Sequence, residues 1–121
     1  MPLKVLIIDD NEQTLTLVSK ILELDGYEVE VACNATDTYK LIQNRMPDLA
    51  VMDVMMPDMN GYDLCRTLRH EPYNATMPIL MLTAEGSDLD KERALLSGAN
   101  DLLTKPFNID ELRKHIKELL S

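Results

Sequence analysis

Four apolar runs in this chain each end in a polar residue, and this pattern limits the folds that it can adopt. The runs are Val5–Ile8 before Asp9 and Asp10, Leu49–Met52 before Asp53, Ile79–Leu82 before Thr83, and Leu102–Thr104 before Lys105. Such a run is typical of a buried parallel strand whose carboxyl end opens onto a loop, and open α/β sheets place their ligand sites along that edge. Three carboxylates, a hydroxyl and an ammonium are therefore expected to converge there.

Stretches with helical periodicity follow the strands and predict repeated βα units. Helices are predicted around Leu15–Leu22, over Ala35–Asn44, around Leu64–Leu68, from the caps Ser87 and Asp88 through Leu96, and over Ile109–Leu119. Tyr27–Val31 alternates in polarity and predicts a second, more exposed strand. Right-handed crossovers then require helices on both faces of the sheet. The predicted fold is α/β: a flavodoxin-like, doubly wound, five-stranded parallel sheet with five helices in three layers.

Length and charge narrow the class of protein further. The 121 residues, 45% of them hydrophobic, suffice for one core, so residues 1–121 are predicted to form a single domain. The net charge of −9 disfavours direct binding to nucleic acid. Because no apolar run resembles a signal peptide or reaches membrane-spanning length, we expect no membrane association and a cytoplasmic location.

The predicted cluster of carboxylates needs a cation. At about 5 Å and an effective dielectric constant near 20, two carboxylates repel each other by about 3 kcal/mol. Lys105 or a divalent cation can offset this repulsion, and Mg²⁺ is the ion that favours such oxygen ligands. The same site suits a phosphoryl group, because Thr83 can donate a hydrogen bond to it and a central carboxylate such as Asp53 can act as nucleophile.

Several motifs make the chain resemble, over nearly its whole length, the receiver domain of two-component response regulators, a family that includes single-domain chemotaxis regulators. They are Asp9-Asp10, Asp53, Met56-Pro57 through Gly61, Thr83-Ala84 and Lys105-Pro106-Phe107. The resemblance implies a phosphorylatable switch that catalyses its own phosphorylation and slow dephosphorylation, and not an enzyme that turns over an external metabolite.

The resemblance also implies a role for each site residue. Asp53 would accept a phosphoryl group from a histidine kinase or a histidine phosphotransfer protein. Mg²⁺ would be held by Asp10, Asp53 and the backbone carbonyl of Met55, with Asp9 acting mainly through water. Lys105 would pair with Asp53 before transfer and with the phosphoryl group afterwards. The downstream effector or target is not specified by the sequence.

The resemblance assigns a conformational switch to a second group of residues. Thr83, followed by Ala84, would move toward the phosphoryl group and reshape the surface formed by the fourth and fifth helices. Leu102 departs from the family, which usually has Tyr or Phe three residues before the lysine. Leu102 is therefore expected to weaken the link between phosphorylation and this surface.

Three further residues are predicted to modulate the site. Met55 and Glu85 occupy the positions that flank the hydrolytic water in the receiver family. Since Met55 orients water poorly, we expect a phosphoryl lifetime longer than that of fast chemotaxis-type regulators. The Lys105-Pro106 peptide bond is expected to be cis, so that the lysine turns back toward Asp53.

Two alternatives to this prediction remain open. A small aspartate-nucleophile phosphatase of the haloacid-dehalogenase type would have a second aspartate two residues after the nucleophile, where this chain has Met55. A receiver-like interaction module that needs no phosphate is disfavoured by the complete set of site residues, but Leu102 keeps it possible.

Overall fold

Strands and helices alternate along the computed structural model, which describes residues 2–84 and 86–121. The strands are β1 (Lys4–Ile8), β2 (Glu28–Ala32), β3 (Leu49–Asp53), β4 (Ile79–Thr83) and β5 (Asp101–Thr104). The helices are α1 (Glu12–Leu24), α2 (Ala35–Asn44), α3 (Gly61–His70), α4 (Asp88–Ser97) and α5 (Ile109–Leu120), and a 3₁₀ turn spans Pro72–Asn74. Within the two described ranges, no helix combines the length and the apolar character that a membrane span requires.

The strands form one parallel sheet in the order β2-β1-β3-β4-β5, which confirms the predicted doubly wound fold. β1 pairs with β2 from Lys4 opposite Glu28 to Ile8 opposite Ala32. β2 thus lies one residue later than predicted, because its pairing with β1 sets its bounds and the alternation of its side chains does not.

The core has two halves because successive strand side chains point to opposite faces of the sheet. One half joins Val5, Ile7, Val51 and Leu82 to Val18 and Leu22 of α1 and to Leu112 and Ile116 of α5. The other joins Leu6, Ile8, Met52 and Met81 to Ile42 of α2, Leu64 and Leu68 of α3 and Ala94 of α4. Three layers result, with α1 and α5 on one face and α2, α3 and α4 on the other.

α4 begins at Asp88, directly after the predicted cap Ser87, and ends at Ser97, one residue later than predicted. Ser87 and Asp90 form a capping box at its amino terminus, which satisfies backbone N–H groups that the helix leaves open. Gly98 ends the helix with a φ of 107°, a left-handed conformation that favours glycine.

Arg69, in the last turn of α3, joins three neighbouring segments. Its Nε donates a hydrogen bond to the Gly98 carbonyl oxygen (2.9 Å), one Nη to the Asn74 carbonyl oxygen (2.6 Å), and the other Nη to Asn100 Oδ1 (3.1 Å). Asn100 in turn exchanges hydrogen bonds with the backbone of Ile79 at the start of β4. The carboxyl end of α4 is therefore held against α3 and the sheet.

Candidate functional site

The predicted site residues meet at the carboxyl edge of the sheet. In the register, Ile8 lies opposite Met52, Asp53 opposite Leu82, and Thr83 opposite Thr104. The residues at the ends of β1, β3, β4 and β5 are therefore adjacent in space. They are Asp9, Asp10, Asp53, Thr83 and Lys105.

Asp9, Asp10 and Asp53 form an acidic cluster that could hold a metal ion. One carboxylate oxygen from each lies within 4.8 Å of the others. Asp9 is fully buried and Asp53 is buried, whereas Asp10 is exposed to solvent. A donor set made only of oxygen atoms, open to water on one side, fits a hard cation that keeps some of its waters.

Burial and charge raise the pKa of the Asp53 carboxyl. Its burial is the largest cause and the negative charge of Asp9 is the second, and together they outweigh the attraction of Lys105. The native state therefore holds this carboxylate at a cost in free energy that a bound cation would reduce.

Lys105 lies between two of the carboxylates. Its Nζ is 2.8 Å from Asp9 Oδ2 and 3.3 Å from Asp53 Oδ1. Burial lowers the pKa of Lys105, but the hydrogen bond to Asp9 and the charges of Asp53 and Asp9 raise it by more, so the side chain is an ammonium. The lysine thus contacts both Asp9 and Asp53, with the shorter contact to Asp9.

The backbone of Lys105 is joined to the end of β4. The Lys105-Pro106 peptide bond is cis, as predicted. The Lys105 N–H donates a hydrogen bond of 2.6 Å to the Thr83 carbonyl oxygen, which continues the pairing of β4 and β5 past Thr104. Pro106 itself is exposed.

Thr83 ends β4 in a buried position close to a cavity of about 260 Å³. The cavity lies between the β3–α3 loop (residues 54–60) and α4, and Met55 and Arg93 also line it. Ala84 is exposed beside it, and Glu85 lies outside the described residues. A rotation of the Thr83 side chain would therefore change the shape of a cavity that extends to α4.

Leu102 on β5 is half-buried and packs against the core on the α2–α4 face. On the same side of the sheet, the Arg93 guanidinium lies 4.6 Å from the centre of the Tyr62 ring, a cation–π contact that links α4 to α3. This pair is not predictable from the strand-end pattern of the sequence, because neither residue stands at a strand end.

The comparisons with known proteins agree with this geometry. The response regulator receiver domain model matches residues 5–117. The phosphate regulon transcriptional regulatory protein PhoB of Rhizobium meliloti (strain 1021) is 37% identical over 117 residues, which are 97% of this chain and 52% of that protein. The DNA-binding dual master transcriptional regulator RpaA of Synechocystis is 40% identical over 117 residues, 97% of this chain and 48% of that protein. The chain thus spans about half the length of these curated relatives.

A solved structure resembles the whole fold. The chemotaxis response regulator CheY4 of Vibrio cholerae superposes with a TM-score of 0.95 at 35% sequence identity, and the match covers 99% of this chain and 100% of that one.

Proposed function

The chain belongs to the receiver domains of two-component response regulators, and we propose that Asp53 is its phosphoryl acceptor. In this proposal Mg²⁺ assists the transfer, and residues 1–121 act as one receiver domain. Receiver domains interact with histidine kinases and are phosphorylated on aspartate. The observation that carries the assignment is the position of Asp53, buried at the end of β3 and 3.3 Å from the Lys105 ammonium.

The transfer is a displacement at phosphorus. An oxygen of the Asp53 carboxylate forms a bond to phosphorus while the bond from phosphorus to the donor histidine nitrogen breaks, and that nitrogen keeps the electron pair. Lys105 Nζ, already in contact with Asp53, is placed to donate a hydrogen bond to the transferred group. Thr83 supplies a second donor from the end of β4.

Asp10, Asp53 and the Met55 carbonyl would hold the metal ion directly, and Asp9 would act mainly through water. When bound, Mg²⁺ neutralises charge on the phosphoryl oxygens and on the carboxylates. Three observations support this set: the all-oxygen cluster at the sheet edge, the exposure of Asp10 to solvent, and the short contact of Lys105 to Asp9, which already balances the Asp9 charge.

The output of the domain is a change of surface. Thr83 would move toward the phosphoryl group with Ala84, and this movement would alter the surface of α4 and α5, with Leu102 replacing the usual aromatic residue between them. The phosphodonor is a histidine kinase or a histidine phosphotransfer protein. The chain is a switch with self-catalysed phosphorylation and dephosphorylation, and its net charge of −9 disfavours direct binding to nucleic acid.

Intact-mass measurement after incubation with acetyl phosphate tests this proposal. Wild type should gain one phosphoryl group in Mg²⁺ and none in excess EDTA, and Asp53→Ala should gain none. Asp63→Ala is the matched control, because Asp63 is an exposed carboxylate on α3 that pairs with Arg66 outside the cluster.

Three other results would contradict the proposal. Full labelling of Asp53→Ala would exclude Asp53 as the acceptor. An unlabelled wild type would favour a module that needs no phosphate. Continuous release of phosphate from a generic monoester would favour the phosphatase alternative.

A further inference from the structure

The Asp58 carboxylate binds the amino terminus of α2, although Asp58 belongs to the β3–α3 loop. Asp58 Oδ1 accepts a hydrogen bond of 2.8 Å from the Ala35 N–H. Its Oδ2 accepts two bonds of 3.2 Å from Thr36, one from the backbone N–H and one from the side-chain hydroxyl. Three hydrogen bonds thus connect the loop that follows Asp53 to a helix 22 or 23 residues earlier in the chain.

α2 needs this carboxylate to complete its cap. The first N–H groups of a helix have no partner within the helix. The N-cap Asn34 accepts a hydrogen bond only from the third of them, that of Asp37. Asp58 accepts from the first and the second, those of Ala35 and Thr36. The two side chains therefore divide the cap between them, and one of the two comes from the β3–α3 loop.

The same loop is also fixed at its base. The Val54 N–H donates to the Leu82 carbonyl oxygen on β4 (3.1 Å), and the Gly61 N–H donates to the Val54 carbonyl oxygen (2.7 Å). Gly61 is required at this closure, since a Cβ there would lie 2.5 Å from the Asp53 carbonyl oxygen. Asp58 then fixes the outer part of the loop, and Met55 lies between the base and Asp58.

The bonds to Asp58 are of the stronger, charge-assisted kind. The hydrogen bond from the Ala35 N–H is the largest cause that holds the pKa of Asp58 below its ordinary value; burial, the second cause, raises this pKa, but the bonds from Thr36 add to the lowering and the net shift is downward. Asp58 is therefore a carboxylate at neutral pH.

We infer that Asp58 is a positioning residue for the metal site: by binding the α2 amino terminus it holds the β3–α3 loop so that the Met55 carbonyl stays available as a ligand. This inference rests on the proposed function of Asp53 and Met55. Residues that orient metal ligands from outside the coordination sphere commonly affect metal affinity as well as stability. Asp58 acts in this way through the backbone of the loop.

Calorimetric titration with Mg²⁺ tests the inference without phosphorylation. Asp58→Asn keeps the shape of the side chain but loses its charge and one acceptor oxygen, and its Mg²⁺ Kd should rise about tenfold. Thr36→Val removes one bond to Asp58 from the α2 side and leaves the loop sequence intact, so its Kd should rise in the same direction by less. Asp63→Asn is the control for the loss of one negative charge outside the acidic cluster.

Unfolding midpoints and labelling rates separate positioning from a merely structural role. Labelling of Asp58→Asn by acetyl phosphate should be slow at low Mg²⁺ and recover at saturating Mg²⁺. Equal Kd values for Asp58→Asn and Asp63→Asn would overturn the inference, as would a lower unfolding midpoint of Asp58→Asn with an unchanged Kd. A wild type that binds no Mg²⁺ would overturn both this inference and the proposed metal site. Equal Kd values, or a lower unfolding midpoint with an unchanged Kd, would overturn only this inference and would leave Asp53 as the acceptor.

Discussion

The Lys105 ammonium lies closer to Asp9 than to Asp53: 2.8 Å separate its Nζ from Asp9 Oδ2, and 3.3 Å separate it from Asp53 Oδ1. Asp9 is fully buried, so this contact balances a charge that bulk solvent does not screen. One lysine thus stabilises the innermost carboxylate and remains within reach of the carboxylate proposed to react.

Replacing Lys105 by Met should affect stability and metal affinity in opposite directions. Without the ammonium, two buried carboxylates repel each other, and the free energy of unfolding should fall by about 1–3 kcal/mol in EDTA. Mg²⁺ should bind more tightly, because no internal cation competes with it. Chemical denaturation and calorimetric titration measure the two effects. Lys114→Met, on the exposed face of α5, is the control, and an unchanged Mg²⁺ affinity of Lys105→Met would contradict this account.

Asp53→Asn should stabilise the metal-free protein at neutral pH. The folded-state pKa of Asp53 is raised above its ordinary value of 3.8, so its ionisation costs free energy that the unfolded chain does not bear. This cost of ionisation is absent at pH values below the ordinary pKa, because Asp53 is then protonated in both the folded and the unfolded state. It reaches its full size at pH values above the raised pKa of the folded state. The stability difference between Asp53→Asn and wild type should therefore shrink as the pH falls toward about 4. Denaturation in EDTA across this range measures it, and a difference that grows at low pH would be evidence against the shift.

Leu102→Tyr should strengthen the response of α4 to phosphorylation. A tyrosine at this position has a polar tip that can exchange between water and a buried partner, so its inward and outward states differ more in free energy than those of leucine. Amide chemical shifts along Asp88–Ser97, recorded with and without acetyl phosphate, should change more in the variant than in wild type. Leu102→Phe, which lacks the hydroxyl, separates the effect of the ring from that of the polar tip. If wild type already shows a complete transition that Leu102→Tyr does not enlarge, the aromatic residue is unnecessary here.

Met55→Asn should shorten the lifetime of the phosphorylated state. Met55 is 73% exposed and lines the cavity beside Thr83, where its side chain offers no strong hydrogen bond to a water molecule. An asparagine amide can orient that water for attack on phosphorus, and positioning is much of what a protein contributes to such a reaction. Loss of phosphate, followed after removal of the donor, measures the rate. Met55→Leu should behave as wild type, and equal rates for Met55→Asn and wild type would refute the prediction.

The features that the sequence could predict are those fixed by neighbouring residues. The bounds of α2 follow from the helical pattern predicted over Ala35–Asn44, and the end of β3 at Asp53 follows from the apolar run before it. The bounds of β2 depend on pairing with another strand, and the predicted strand was therefore one residue too early.

Within the site, the sequence predicts which residues meet but not how they pair. Parallel strand ends place Asp9, Asp53 and Lys105 together. Which of the two carboxylates lies nearer to Lys105 depends on the side-chain positions of residues that are as far as 96 residues apart in the chain. The contact of Asp58 with the α2 amino terminus was missed for a similar reason. An aspartate after Pro57 is typical of a turn, and no local pattern connects it to Ala35.

The three hydrogen bonds of Arg69 have a consequence for how α4 transmits a change at Thr83. Because the Gly98 carbonyl is bound to Arg69 and Asn100 is bound to both Arg69 and Ile79, the carboxyl end of α4 serves as a pivot. Toward its amino end, α4 contacts α3 through Arg93 and Tyr62 and borders the cavity beside Thr83, so a change at Thr83 should displace this end more than the end bound to Arg69. We therefore expect a protein that distinguishes the phosphorylated from the unphosphorylated domain to contact the first turns of α4 more than the last turn.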